Sequence, residues 1–450
     1  MIVGNLIAVA QAPVLPLSIS DQPAHPRAGN APEWLRAGVI YEVFPRSFSP
    51  EGNLNGVTAE LDRLKALGVT TVWLMPIHPV GQLKKLGANG SPYAVRDYYA
   101  IAPDCGSKED LRRLINEAHR RNMKVILDMV ADHTAFDSVM MVHPDFYKHD
   151  KDGRLISPHG WNDVAALDYS NPALRQYMID VLTYWVKDFG VDGYRCDAAA
   201  EVPTDFWEQA RSALEQVNPN TLMLAEASKP ELLRSAFQID YAWPLLFKLD
   251  DVIMHGTPAS DLRKTIEQQR TEFPEQALHM MISDDHDENR AIVRYGLPGA
   301  LAASALMFTL DGVPLLYNGM EVADVTPSSA PALFETLKIY WQGSQLHPEF
   351  RQFYDFMIPF RERHSALWKG QVTWVHNSDE QHVISYLRGS GEEELLVVIN
   401  LSNTPFRGTL EAESGVWQEV KEPLFHYSQV VIPSVSLDAF EFRIFEKKRI

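Results

Sequence analysis

The chain has 450 residues, 46% of them hydrophobic and 22% charged, with a formal net charge of −18. So large an acidic excess argues against nucleic acid or a membrane surface as partner, since both reward a basic face, and leaves a neutral ligand unpenalised. Two cysteines, Cys105 and Cys196, rule out a disulfide framework; no Cys/His spacing marks a zinc site, and no apolar run reaches the length of a membrane span.

The opening MIVGNLIAVAQAPVLPLS has a short apolar core and an A-x-A-like site at Ala10–Ala12, but lacks the basic start of a signal peptide. Residues 1–32 are read as an irregular N-terminal arm on a cytoplasmic chain, with an export signal or linker as the alternative. Eight β-rich apolar runs follow: VIYEVF (39–44), TTVWLMPI (70–77), KVILDMV (124–130), VDGYRCD (191–197), TLMLAE (221–226), FQIDYAW (237–243), LHMMIS (278–283) and VPLLYN (313–318). Helix-period segments such as KEDLRRLINEAHRRN separate them. Apolar strands alternating with helices mean a parallel sheet covered by helices. Eight such units predict an α/β chain with a closed (β/α)8 TIM barrel over residues 33–368. An open doubly wound sheet would want a Gly-rich phosphate loop after an early strand, and the sequence has none.

The third and fourth strands stand about twice the usual distance apart. The intervening residues 134–165 are polar, aromatic and poor in helix pattern, and predict a short inserted lid on the active face. Beyond Lys369 the texture changes to short alternating runs, among them HVISYLRG, ELLVVINLS and FEFRIFEK. Residues 369–450 are therefore read as a C-terminal antiparallel β-sandwich.

Barrel chemistry sits at the C-terminal ends of strands. There the third strand carries Asp128, Asp132 and His133, the fourth Arg195 and Asp197, the fifth Glu226, and the seventh runs into SDDHDENR (283–290). The loop after the second strand brings Tyr93 and Asp97. Carboxylates crowded at one mouth push their pKa values apart, so that one stays protonated while another is ionised. A retaining glycosidase needs that division between nucleophile and acid/base. Arg195, two residues before Asp197, faces the same side of its strand and is expected to lower the Asp197 pKa. Neutral imidazoles of His133 and His286 suit sugar hydroxyls, and Tyr93 offers a ring face for stacking. Asp128 and Asp97 read as structural, and so do Asp284 and Glu288. Asp285 is expected to need a compensating cation, for which Arg290 is the local candidate.

DMVADH (128–133), GYRCDAAAEV (193–202), MLAEAS (223–228) and ISDDHD (282–287) resemble the four signature regions of the α-amylase family, glycoside hydrolase family 13, in the right order. YEVFPRSF (41–48) and PLLYNGMEV (314–322) look like the same family, and the likeness covers roughly residues 34–450. It implies Asp197 as nucleophile, Glu226 as general acid/base and Asp287 as the carboxylate that stabilises the transition state. It also implies substrate contacts from Tyr93, His133, Arg195 and His286. The implied reaction is cleavage of α-glucosidic bonds, mainly α-1,4, in starch-derived oligo- or polysaccharides, with net retention and no cofactor for the chemistry.

Three positions depart from the family pattern. Asp132 stands where an Asn often ligates a structural calcium, and Ala200-Glu201 replaces a Lys-His pair. The metal question therefore stays open, with Asp132 as calcium candidate. Asp285 replaces the usual Asn before His-Asp. Glycosyl transfer through the same residues, a metal-dependent hydrolase built on the seventh-strand acids, and an inactive fold serving as a binding module are the alternatives. Oligomeric state is not legible.

Overall fold

All eight expected barrel strands form. The structure, a computed structural model, describes residues 31–391, 393–412, 417–420 and 432–447; the N-terminal arm reading thus lies almost wholly outside the described residues. The first ten strands are β1 (Ile40–Val43), β2 (Thr71–Leu74), β3 (Lys124–Val130), β4 (His133–Ala135), β5 (Val164–Ala166), β6 (Gly193–Asp197), β7 (Leu222–Ala225), β8 (Ile239–Tyr241), β9 (His279–Met281) and β10 (Val313–Tyr317). Eight of these close a parallel barrel in the order β1-β10-β9-β8-β7-β6-β3-β2. Their side chains are almost all buried, because helices cover the outside and packed residues fill the inside.

Local chemistry explains the alternation. The helix Lys108–Arg120 starts at a capping box between Ser107 and Asp110, and buries Leu111, Leu114, Ile115 and Ala118 at helical spacing. The helix Pro172–Phe189 begins at an Asn171 cap and ends on left-handed Gly190. On β6, Gly193 packs so close to β7 that a Cβ there would lie 2.1 Å from the Leu222 carbonyl oxygen. Register then sets the chemistry: β3 and β6 pair Asp128 with Arg195 and Val130 with Asp197.

The other two strands, β4 and β5, pair antiparallel and tie the base of the inserted segment, so that His133 leads its first strand. Past the barrel come β11 (Gln371–Trp374), β12 (Val383–Ser390), β13 (Glu393–Asn400), β14 (Phe406–Thr409), β15 (Trp417–Glu419), β16 (Ser434–Leu437) and β17 (Phe442–Lys447). Five of them form an antiparallel sheet, β11-β12-β13-β17-β15, and β14 pairs with β16. Val383, Leu396, Val398, Phe406, Val435 and Leu437 fill the space between the two sheets. The short strand β15 had no sequence signal.

One expectation about apolar runs is corrected. The helix Ala291–Thr309 is long and apolar enough to match a membrane span by length and composition. Most of it is buried in the protein, which accounts for its composition without a membrane. Cys105 and Cys196 are both free thiols.

Candidate active site

The site is organised by Arg195. It is fully buried, and its Nη1 donates to Asp128 Oδ1 at 2.9 Å and to Asp197 Oδ1 at 2.7 Å. Its Nη2 lies 2.9 Å from Glu226 Oε2, and its Nε donates to the Tyr241 hydroxyl at 3.1 Å. The guanidinium also lies over the rings of Trp73 and Tyr93. One cation thus holds carboxylates from β3, from β6 and from the residue after β7.

Glu226 has a second tether. Its Oε2 accepts from the Ala198 N–H at 2.7 Å, and Ala198 sits in the left-handed region at φ 42°, uncommon for alanine. Backbone strain immediately after Asp197 therefore positions the neighbouring carboxyl. Burial, reinforced by the Asp197 and Asp287 charges, pushes Glu226 well above the usual carboxylate range despite Arg195. Burial also raises Asp197, although Arg195 opposes it. The expected lowering of Asp197 is thus corrected: removal from water outweighs the cation. Both carboxyls are shifted upward by burial, and the Asp197 charge raises Glu226 further, so the pair favours holding a proton.

A hydrogen-bonded chain runs behind these groups. Glu42 Oε1 stands 2.5 Å from His286 Nδ1, and His286 Nε2 stands 2.6 Å from the Tyr93 hydroxyl. That hydroxyl in turn donates to Asp128 Oδ2 at 3.2 Å. Burial alone would lower the His286 pKa, but the Asp287 and Glu42 charges outweigh it and push it up to about 10. His286 is therefore an imidazolium at neutral pH rather than the neutral ring expected, and both its N–H groups donate. Asp287 Oδ2 lies 3.3 Å from its Nε2. The Asp287 side chain is 44% exposed, against 12% for Asp197 and 18% for Glu226, so it faces the open mouth.

His133 Nδ1 lies 2.8 Å from Asp132 Oδ1, and its Nε2 lies 3.2 Å from the Tyr93 carbonyl oxygen. Burial would lower its pKa, but Asp132 outweighs burial and raises it, so this ring too is biased toward the charged form. Trp161 of the inserted segment packs edge-on against His133 and is 44% exposed. The Tyr93 ring stacks on His286, with centroids 5.4 Å apart.

The side chains around Asp132 supply only part of a calcium shell, although both buried Asp132 carboxylate oxygens lack a hydrogen-bond partner among the described residues. Among the described residues, the group of metal-capable side chains is Asp132, His133 and Asp197. Calcium wants six to eight oxygen ligands, whereas this group offers two carboxylates and an imidazole. Asp132 is better explained as the counter-charge of His133.

Asp285 also departs from expectation. Arg290 does not face it: Arg290 Nη2 donates to Asp324 Oδ2 at 3.1 Å, and its Nη1 lies 3.9 Å from Asp284 Oδ2. Asp285 solves its charge problem by keeping a proton. Burial, the Asp287 charge and then Glu42 and Asp284 push it up to about 8, against the His286 cation. Its Oδ1 accepts from the Asp287 and Glu288 N–H groups at 3.1 and 3.0 Å, which shapes the turn that presents Asp287. Asp284 is likewise pushed up to about 6, and is buried beside Arg290, in keeping with its structural reading.

A carboxyl raised in the folded state contributes stability that is complete below its unfolded pKa and is lost as pH rises through the folded value. For Asp285 that window runs from about 4 to about 8. Asp287, His286, Glu42, Asp284 and the Tyr241 hydroxyl face it. Asn at this position accepts the same two N–H bonds and never ionises. Asp285→Asn is therefore expected to lose less melting temperature than the parent between pH 6 and pH 9. Parallel slopes in thermal scans at the two pH values would contradict this assignment.

Sequence reasoning brought together Asp197, Glu226, Asp287, Tyr93, His133, Arg195 and His286. It missed Glu42, Trp73 and Tyr241, and it placed Asp128 outside the site. Asp128 is pushed up to about 7 by burial, against the pull of Arg195. The available signal was a lone charge inside an apolar barrel strand, as in IYEV and KVILDMV. Asp97 does stand apart; it caps the Tyr99 N–H.

Comparison with known proteins follows the same lines. Residues 28–388 match the family described as alpha amylase, catalytic domain, and residues 374–423 the alpha amylase C-terminal all-beta domain. The alpha-amylase MalA of Haloarcula japonica is 31% identical over 311 residues, covering 66% of this chain; the chain spans 45% of that relative's length. A maltogenic alpha-amylase, AmyB of Thermotoga neapolitana, superposes with a TM-score of 0.82 at 30% identity, over 92% of this chain and 99% of that one. An alpha-amylase from Lactobacillus plantarum superposes with a TM-score of 0.78 at 30% identity, over 92% and 99%.

Proposed function

The chain belongs to the α-amylase family of glycosidases, and from that membership we propose that it hydrolyses α-glucosidic bonds, mainly α-1,4, in starch-derived oligo- or polysaccharides by double displacement. The observation that carries the reading is Arg195 bridging Asp197 and Glu226. A bridge through one guanidinium favours the separation of a retaining pair, about 5–5.5 Å, over the wider inverting arrangement.

Asp197 attacks the anomeric carbon and forms a glycosyl ester while the glycosidic C–O bond breaks. Glu226, protonated at the start, delivers its proton to the departing oxygen. As carboxylate it then takes a proton from the water that cleaves the ester. Two inversions give net retention. Asp287 and the His286 imidazolium hold sugar hydroxyls, and the Asp287 carboxylate stabilises the positive charge that develops at the ring; of the carboxylate trio Asp287 is the most exposed. His133 adds a further donor, and Tyr93 supplies the ring face beneath the sugar. Side chains carry every step. We assign residues 33–368 to the catalytic barrel, 134–165 to the inserted lid and 369–450 to the C-terminal sandwich, on the change from parallel to antiparallel pairing.

The test is a panel of starch, maltooligosaccharides, sucrose, trehalose and isomaltose with products resolved over time. Progressive shortening of maltooligosaccharides is expected. Products longer than the substrate appearing first, or turnover confined to sucrose or trehalose, would overturn it.

A further inference from the structure

Three aromatic rings lead from the buried site to the surface. Tyr241, at the end of β8, is fully buried and accepts the Arg195 Nε–H. The Trp243 ring stacks on it, with centroids 5.1 Å apart and planes at 23°. Phe247 stacks on Trp243 in turn, at 5.6 Å and 12°. Trp243 and Phe247 are one turn apart at the start of the helix Trp243–His255, so their rings share a face. Phe247 is 53% exposed. An isolated exposed Phe needs no explanation, but a near-parallel ladder continuous with the catalytic arginine's partner does.

The same helix face is fastened to the loop that bears Asp287. Asp250, three residues beyond Phe247, accepts from the Tyr295 hydroxyl at 2.5 Å and pairs with Arg294. Arg294 donates from Nη2 to the Ser283 carbonyl at 2.6 Å and from Nε to the Asn289 carbonyl at 2.8 Å, the two ends of that loop. In the barrel order β8 lies between β7, which leads into Glu226, and β9, which leads into Asp287. The ladder therefore rises between the acid/base and the third carboxylate.

We propose that the exposed ring of Phe247, backed by the Trp243 ring stacked beneath it, is a stacking platform for a glucosyl unit beyond the cleaved bond, which makes the enzyme favour longer chains. The chemistry suits a sugar: a pyranose has an apolar C–H face for the rings and hydroxyls for a polar rim. Lys248 and Asp251, paired at 2.8 Å on the adjoining surface, provide such a rim. The platform rests on the α-glucan reading above.

The test is the ratio of kcat/KM for maltoheptaose to that for maltotriose in the full-length enzyme. Phe247 is exposed, so Phe247→Ala keeps the core intact, and Phe247→Trp restores a ring. The ratio is expected to fall about five-fold in Phe247→Ala, the scale of one lost ring contact, and to recover in Phe247→Trp. A ratio unchanged in Phe247→Ala, or a fall that Phe247→Trp does not repair, overturns the platform. A parent enzyme inactive on both sugars overturns the α-glucan reading and the platform with it.

Discussion

Asp197→Asn is expected to lose turnover by about 10³-fold or more, with its fold intact, and Glu226→Gln to match it on ordinary glucans. The amide at 197 cannot form the glycosyl ester, and the amide at 226 has no acidic proton for the leaving oxygen. The two variants separate on an activated substrate. α-Glucosyl fluoride carries a leaving group that needs little protonation. Glu226→Gln should therefore complete the first displacement and accumulate the ester on Asp197, visible as a mass increase of one glucosyl unit. Asp197→Asn should give no such species. The opposite pattern in mass spectrometry would exchange the two roles. A loss of only a few-fold in either variant would remove that residue from the mechanism.

Arg195→Met is expected to be the most damaging change to stability and activity together. It removes the one cation that Asp128, Asp197 and Glu226 share in a dry site. Breaking a buried ion pair costs about 3–5 kcal/mol, because the partner charges remain. Without the cation the carboxyls hold protons even more tightly in the folded state, so their stabilising contribution is lost as pH rises. The melting-temperature deficit of Arg195→Met should thus be smaller at pH 5 than at pH 8. Arg195→Lys keeps a charge but cannot reach three carboxylates with a fork, and should recover stability more than turnover. Equal deficits at the two pH values, by calorimetry, would argue against Arg195 as the organiser of these ionisations.

Much of this was legible in the sequence because the barrel writes its chemistry at regular places. Each apolar strand that ended in a charged residue delivered that residue to one mouth, as for Asp197, Glu226 and the stretch after β9. Illegible parts depended on partners far apart in the chain. Glu42 and His286 are separated by 244 positions, and nothing local marks them as a pair. Asp128 looked like a structural acid until the register of β3 and β6 set it against Arg195. The pKa directions were misjudged for a related reason. Charge was visible in the sequence but burial was not, and burial decides the sign for Asp197 and keeps Asp285 protonated. Asp285 meets its burial with a retained proton and not with the Arg290 cation.

The central claim is double displacement through Asp197 with Glu226 as acid/base, and its most direct test is the anomeric form of the first product. Proton NMR of maltooligosaccharide cleavage, read before mutarotation equilibrates the ends, should show the new reducing ends appearing as the α-anomer. New ends appearing as the β-anomer would mean a single displacement by water, and would contradict the role assigned to Asp197.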